Sequence, residues 1–125
     1  MSSLSAGSII YNVLTNDTTV MKLATKVFPV AAEKAVLPYV AYRRSGFAHD
    51  ATKQPKGADT VTIDVNCYAA TYAESISLAE SVRDALDYCE KTVGETTMRS
   101  CVLVESQEFW SDDAFCQTLR FRIRI

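Results

Sequence analysis

An α+β fold, with a mostly antiparallel sheet of four to five strands and a main helix and a short N-terminal helix packed on one face, is predicted by three features of the sequence. The first is its closing segment, where Leu119, Phe121, Ile123 and Ile125 alternate with Arg120, Arg122 and Arg124. A side-chain period of two belongs to a strand with one apolar face, and it sends all three guanidinium groups to the other face. The second is the alternation from Thr60 to Ala69, with Val61, Ile63, Val65 and Cys67 on one side and Thr60, Thr62, Asp64, Asn66 and Tyr68 on the other. Between these strands lies the third, a capping box at Thr71 and Glu74 opening a run whose apolar residues recur at helical spacing. Strands joined by short links and interrupted by one amphipathic helix pack that helix against one face of an antiparallel sheet.

The elements are taken in chain order. Ile9, Ile10, Val13 and Leu14 predict a short amphipathic helix over Ser8 to Thr15, started near Gly7 and broken at Asn16-Asp17. Asp17 or Thr18 can cap a further turn or two carrying Val20, Met21, Leu23 and Ala24. Val27, Phe28 and Val30 then read as extended chain, and Pro29 assigns that stretch to a sheet edge, where a missing amide donor is tolerated. Leu37 to Arg44 is the second strand. From Ser45 to Asp59 glycine, lysine, proline and other polar residues dominate, which predicts a long projecting arm with Phe47 as its one large apolar residue. After the strand from Thr60, the main helix carries Ile76, Leu78, Ala79, Val82, Ala85, Leu86 and Cys89 and ends before Gly94. Met98 to Phe109 is a fourth strand, Ser111-Asp112-Asp113 a turn, and Phe115 to Ile125 the last strand.

At 125 residues the chain is expected to form one domain, 1–125, able to bury roughly two-thirds of its unfolded surface. Its 48% hydrophobic and 22% charged content exclude the disordered and fibrous classes. No apolar run reaches membrane-spanning length, and Met1 to Gly7 lacks the features of an export signal, so no membrane partner is expected. Cys67, Cys89, Cys101 and Cys116 show no CxxC spacing and have only His49 to join them, so no metal or other cofactor is expected, and free thiols point to a reducing compartment. The net charge of −2 is mild but uneven: the C-terminal strand is basic, while Asp84, Asp87, Glu90 and Glu95 make the middle acidic.

No catalytic constellation is present, and no enzymatic activity is expected. His49-Asp50 has no nucleophile tied to it by sequence and reads as a solvated loop pair. Ser45-Gly46 and Lys56-Gly57 are turn signals, since no phosphate-binding pattern surrounds them. Candidate contact residues are the arginine ridge, Arg120, Arg122 and Arg124, and a patch of Tyr42, Arg43, Arg44 and Phe47 leading to Lys53 and Lys56 in the arm. Tyr39, Tyr42, Phe47 and Trp110 are the aromatics expected to be partly exposed. Three readings of the ridge remain open: pairing with Asp64, Glu105 or Glu108 across strands, contact with an acidic neighbouring subunit, or binding of nucleic acid. Phe121, on the opposite face, could not stack with a base beside those arginines.

The run Leu37-Pro38-Tyr39-Val40-Ala41-Tyr42, the strand Val61-Thr62-Ile63-Asp64-Val65 leading to Tyr68-Ala69-Ala70-Thr71-Tyr72, the helix residues Leu78-Ala79 and Val82-Arg83-Asp84-Ala85-Leu86, and the closing strand from Gln117 to Ile125 together resemble the tail completion proteins of long-tailed phages and prophages, the tail-terminator-like family. The resemblance spans the chain from first helix to last strand. It implies a structural virion protein, assembled in the host bacterial cytoplasm, that forms a hexameric ring with copies of itself, caps the tail tube protein and meets a head-tail connector protein. It brings no catalytic residue and no cofactor, and nucleic acid would be present only as passing genome. The alternative function is a nucleic-acid-binding module using the basic face of the C-terminal strand.

Overall fold

The computed structural model describes residues 3–31, 35–49 and 59–125. A 3-10 turn at Ser3–Ser5 opens into helix α1, Ala6–Asn16, which buries Ala6, Ile9, Ile10 and Leu14 on one stripe. Asp17 breaks it and caps α2, Thr18–Leu23, its carboxylate accepting a hydrogen bond from the Val20 amide at 3.0 Å. One short polar side chain thus ends one helix and starts the next.

Strand β1, Val27–Pro29, pairs in parallel with β2, Tyr39–His49, in the register Val27↔Val40 to Pro29↔Tyr42, and lies at the sheet edge that Pro29 predicts. β2 pairs antiparallel with β3, Asp59–Ala69. Helix α3, Tyr72–Leu86, comes next, then the short strands β4, Lys91–Val93, and β5, Thr96–Met98, then β6, Ser100–Ser111, and β7, Ala114–Arg124. The main sheet runs β1-β2-β3-β7-β6, with every pair but the first antiparallel. The α+β class is therefore as the sequence predicts, and the last strand is central rather than peripheral.

The core lies between one sheet face and the helices. Val40, Tyr42, Val61, Ile63, Val65, Cys67, Cys101, Leu119, Phe121 and Ile123 meet Ile9, Ile10, Leu14, Val20, Leu78, Val82 and Leu86 there. The other sheet face carries no helix from the described residues, and its polar side chains alternate with that core.

Boundaries differ from expectation at the arm, at the end of the main helix and at the fourth strand, where Met98 belongs to β5 and β6 runs from Ser100 to Ser111. The segment from Ser45 to Asp59 is not an arm throughout: Ser45 to His49 continue β2, and Asp59 begins β3, paired with His49. An extra residue between Arg44 and Gly46 absorbs the irregularity as a bulge. Lys53 and Lys56, like Asp50, lie outside the described residues. The main helix stops at Leu86 rather than near Gly94, because Asp87 turns extended and its carboxylate accepts from the Leu103 amide at 3.0 Å. Tyr88 takes φ 62° and donates its amide to the Cys101 carbonyl at 2.6 Å, tying the helix end to β6. Gly94, at φ 61°, instead serves the β4-β5 hairpin, where an L side chain would be strained. Asp112 and Asp113, at φ 51° and 60°, make the two-residue turn from β6 to β7, the mirror-image geometry that matches strand twist.

At the start of α3 the Thr71 hydroxyl accepts from the Glu74 amide at 3.2 Å, the half of the capping box that holds the first turn. Thr71→Ala is expected to cost about 1 kcal/mol, read as a fall of a few degrees in thermal midpoint, while Thr71→Ser holds it.

Candidate interaction face

The open sheet face is built by strand alternation. Arg43, Asp64, Arg120 and Glu105 occupy one row across β2, β3, β7 and β6, in the pairings Arg43↔Asp64, Asp64↔Arg120 and Arg120↔Glu105. Glu105 reaches this face only because of a bulge between Leu103 and Glu105: Leu103 sits opposite buried Phe121, and without the extra residue Glu105 would share its side. The row alternates in sign and is in contact from end to end. Arg120 Nε lies 2.8 Å from Asp64 Oδ1 and its Nη2 3.2 Å from Oδ2. Arg43 Nη2 is 3.6 Å from Asp64 Oδ2, and Arg120 Nη1 is 3.4 Å from Glu105 Oε2.

Asp64 is only 3% exposed. Burial alone pushes its carboxyl pKa up. The hydrogen bonds and charge of Arg120, the Ser45 hydroxyl and the charge of Arg43 outweigh that and hold it below the usual carboxylate value. Asp64 in turn raises the pKa of Arg120, through its hydrogen bonds and then its charge.

The candidate residues therefore separate. Arg120 is committed to Asp64 and Glu105, so the first reading of the ridge holds for that residue. Arg122 and Arg124 are exposed, and among the described residues no carboxylate pairs with either. Tyr42, Arg43 and Arg44 do not form one surface, because period two divides them. Tyr42 points into the core, 9% exposed beside Tyr11, with its hydroxyl pKa raised by burial and then by Tyr11. Arg43 joins the open face, while Arg44 reaches the Leu4 carbonyl at 3.2 Å. Phe47 stays exposed, opposite Val61. His49 ends β2 and bonds to Asp59 across the β2-β3 pair, while Asp50 lies outside the described residues.

Away from the charged row, Tyr39 and Tyr68 stack at 4.7 Å between ring centres. Thr118 donates to Asn66 at 2.8 Å, so the middle of the open face is internally satisfied. At the N-terminus of α3 a groove of about 240 Å³ is lined by Tyr72, Glu108, Phe109, Trp110, Phe115 and Gln117. Glu108 accepts from the Tyr72 hydroxyl at 2.8 Å and from Gln117 at 3.1 Å, and Tyr72, Phe109 and Trp110 are the groove's exposed aromatic walls. The four cysteines are free thiols; burial and then Cys89 push Cys101 up to about 12, which makes it unreactive.

The family model for tail completion protein gp17 matches residues 9–125. The chain belongs to the tail completion protein gp17 family. A chain from the virion of a native gene transfer agent particle superposes with a TM-score of 0.79 at 16% identity, covering 99% of this chain and 98% of that one. The gp17 protein of bacteriophage SPP1 superposes with a TM-score of 0.66 at 20% identity, over 95% and 87%. At those identities the likeness is one of fold. No curated protein matches the sequence. Membership of the family carries a structural role in a phage tail, which agrees with the resemblance read from the strand and helix residues.

Sequence reasoning missed the charged row as a unit. Its members are far apart in the chain, and the bulge between Leu103 and Glu105 decides that Glu105 shares the open face. The sequence names Asp64 and Glu105 among the carboxylates that can pair with the ridge, but does not place Arg43 in the row with them.

Proposed function

We propose that this tail completion protein acts as a tail terminator: it caps the tail tube at its head-proximal end, forms a hexameric ring there with copies of itself, and offers the ring to a head-tail connector protein. The virion tail is its place of work, reached by assembly in the host bacterial cytoplasm, and its action is by shape and charge rather than catalysis. The family match over residues 9–125 is the observation that carries this reading. The open, charged sheet supports it, since a closed ring needs one surface of a subunit to complement a different surface of the next. The test is electron microscopy of tails assembled with and without the protein. Capped tails of uniform length, bearing a six-fold ring, are expected only in its presence; a heterogeneous, overgrown tube with the protein present overturns it.

A second reading, a nucleic-acid-binding module, is favoured by the exposed Arg122 and Arg124, which no carboxylate among the described residues pairs. Arg122→Ser with Arg124→Ser is expected to leave thermal stability within about 0.5 kcal/mol of the parent, as for surface positions generally. The same pair of substitutions separates the readings: if retention of the protein on DNA is strong, falls steeply with salt and is lost in the variant, the nucleic-acid reading is favoured. Arg120 is left unchanged in that test because it holds Asp64 within the monomer.

A further inference from the structure

Beyond the charged row the open face continues in two further rows. Gly46, Thr62, Arg122 and Val102 form the first, and Ala48, Thr60, Arg124 and Ser100 the second. Arg122 and Arg124 thus stand exposed among small side chains, two positions apart on one strand, and among the described residues no carboxylate pairs with either. On the opposite side of the subunit lies the outer surface of α3. Leu78, Val82 and Leu86 are buried against the sheet. Ala73, Ser77, Glu80 and Asp84 lie half a turn around the helix from that buried stripe, and all four are exposed. Glu80 and Asp84 are a like-charged pair at i, i+4, an arrangement that costs helix stability when left to itself. Arg83, the one cation of α3, is engaged by Asp87 at 3.5 Å.

We infer that the open sheet face takes helix α3 of a second copy of this chain, with Glu80 and Asp84 of one subunit beside Arg122 and Arg124 of the next. This rests on the ring reading and names a contact that would build it. Charge selects the occupant. Arg43, Asp64, Arg120 and Glu105 neutralise one another within the row, so the charge that the face leaves unanswered is that of Arg122 and Arg124, and the outer stripe of α3 carries two carboxylates. Spacing agrees. Four residues advance a helix by about 6 Å and two residues advance a strand by about 7 Å, so the two like-charged pairs match in separation. Shape permits close approach, because Ala73 and Ser77 on the helix meet Gly46, Ala48, Thr60 and Thr62 on the sheet. Direction follows from the fold. The Tyr72 ring meets Phe115 near the start of β7, and Asp87, just past the helix, bonds to Leu103 opposite Phe121, so α3 runs the same way as β7. α3 packs behind β3 and β7. A copy displaced along the sheet normal therefore lays its α3 over the open side of the same two strands. Arg120 is already held by Asp64 and Glu105, so the helix takes its register from the free pair farther along β7. The contact joins the front of one subunit to the back of the next and uses neither sheet edge. Such a joint is heterologous, the kind that a closed ring requires.

The experiment is sedimentation velocity of the whole protein across concentration and salt. It compares the parent, a face variant with Arg122→Glu and Arg124→Glu, a helix variant with Glu80→Lys and Asp84→Lys, and an equimolar mixture of the two. The parent is expected to associate, less so at high salt. Each variant alone should associate about tenfold or more weakly, since its face and its α3 then carry the same sign. The mixture should recover association, because in an alternating assembly every contact is either the native pairing or the exchanged one. Circular dichroism checks the fold of each variant. Where a reversal fails to fold, Arg122→Gln with Arg124→Gln and Glu80→Gln with Asp84→Asn take its place, each expected to weaken association and to flatten its dependence on salt. Variants that associate as the parent does overturn the joint, and so does a mixture that stays dissociated while the parent assembles. A face variant that dissociates beside a helix variant that does not overturns α3 as the occupant. A parent that remains monomeric at every concentration overturns the contact as well. In each case the tail terminator reading stands or falls separately, on the ring seen on assembled tails.

Discussion

Replacing Phe121 with Ala is expected to remove about 3–5 kcal/mol of stability, the range found when a buried aromatic is truncated in a core that cannot close around the gap. Phe121 is fully buried in β7, between Ile63 on β3 and Leu103 on β6. Strands on both sides fix the backbone there, so neighbouring side chains cannot collapse far into the space. A domain of this size has about 5–15 kcal/mol in total, and the loss should appear as a fall in thermal midpoint on the order of 10–20 °C. Phe121→Leu, which keeps most of the volume, should cost less than half as much. Phe47→Ala is the contrasting control: Phe47 is exposed, and its loss should move the midpoint by no more than a degree or two. A midpoint for Phe121→Ala within a few degrees of the parent would place the centre of the core elsewhere than under β7.

That core was legible because burial writes itself into alternation. The residues Val61 to Cys67 and Leu119 to Ile123 declare one face each, and the structure seats both sets in the core. Helix starts were equally plain, since Asp17 and Thr71 act through a few residues of local sequence. Helix α3 ends early for a reason no local pattern holds: the Asp87 carboxylate has a partner sixteen positions away, on β6. The strand extension from Ser45 to His49 was hidden for a related reason. Its composition is that of a loop, but pairing with β3 supplies its hydrogen bonds and overrides weak local preference. The charged row was the least legible part. Alternation assigns faces correctly only while the register holds, and a bulge in β2 and another in β6 each reverse the faces of the residues beyond them. Pairing of the ridge with Asp64, Glu105 or Glu108 was open to the sequence, but unbroken alternation puts Leu103 and Glu105 on the same face, so which of these carboxylates reach Arg120 follows only from the bulge in β6.

Asp64→Asn is expected to cost about 1.5–3 kcal/mol near neutral pH, as for loss of charge-assisted hydrogen bonds, and to change the shape of the acid unfolding curve. The magnitude lies toward the lower end because the freed arginines are not stranded: the Arg120 side chain is 41% exposed and can turn to water. The change of shape comes from the direction of the pKa shift. Asp64 has a lowered value in the folded protein, so the unfolded chain binds its proton more readily, and the carboxylate stabilises the fold. That contribution is fully present above the ordinary carboxylate value, about 4, and is lost as pH falls through the lower folded value. Urea unfolding at intervals from neutral pH downward should therefore show the parent converging on the variant in acid, with the gap between them closing below about pH 4. A constant gap at every pH would mean that Asp64 acts through packing rather than charge. The row is thus graded from the inside outward: Asp64 sits at an inner position and should affect the stability of the subunit, whereas Arg43 and Glu105 stand at its ends, exposed, where single pairs contribute little to folding.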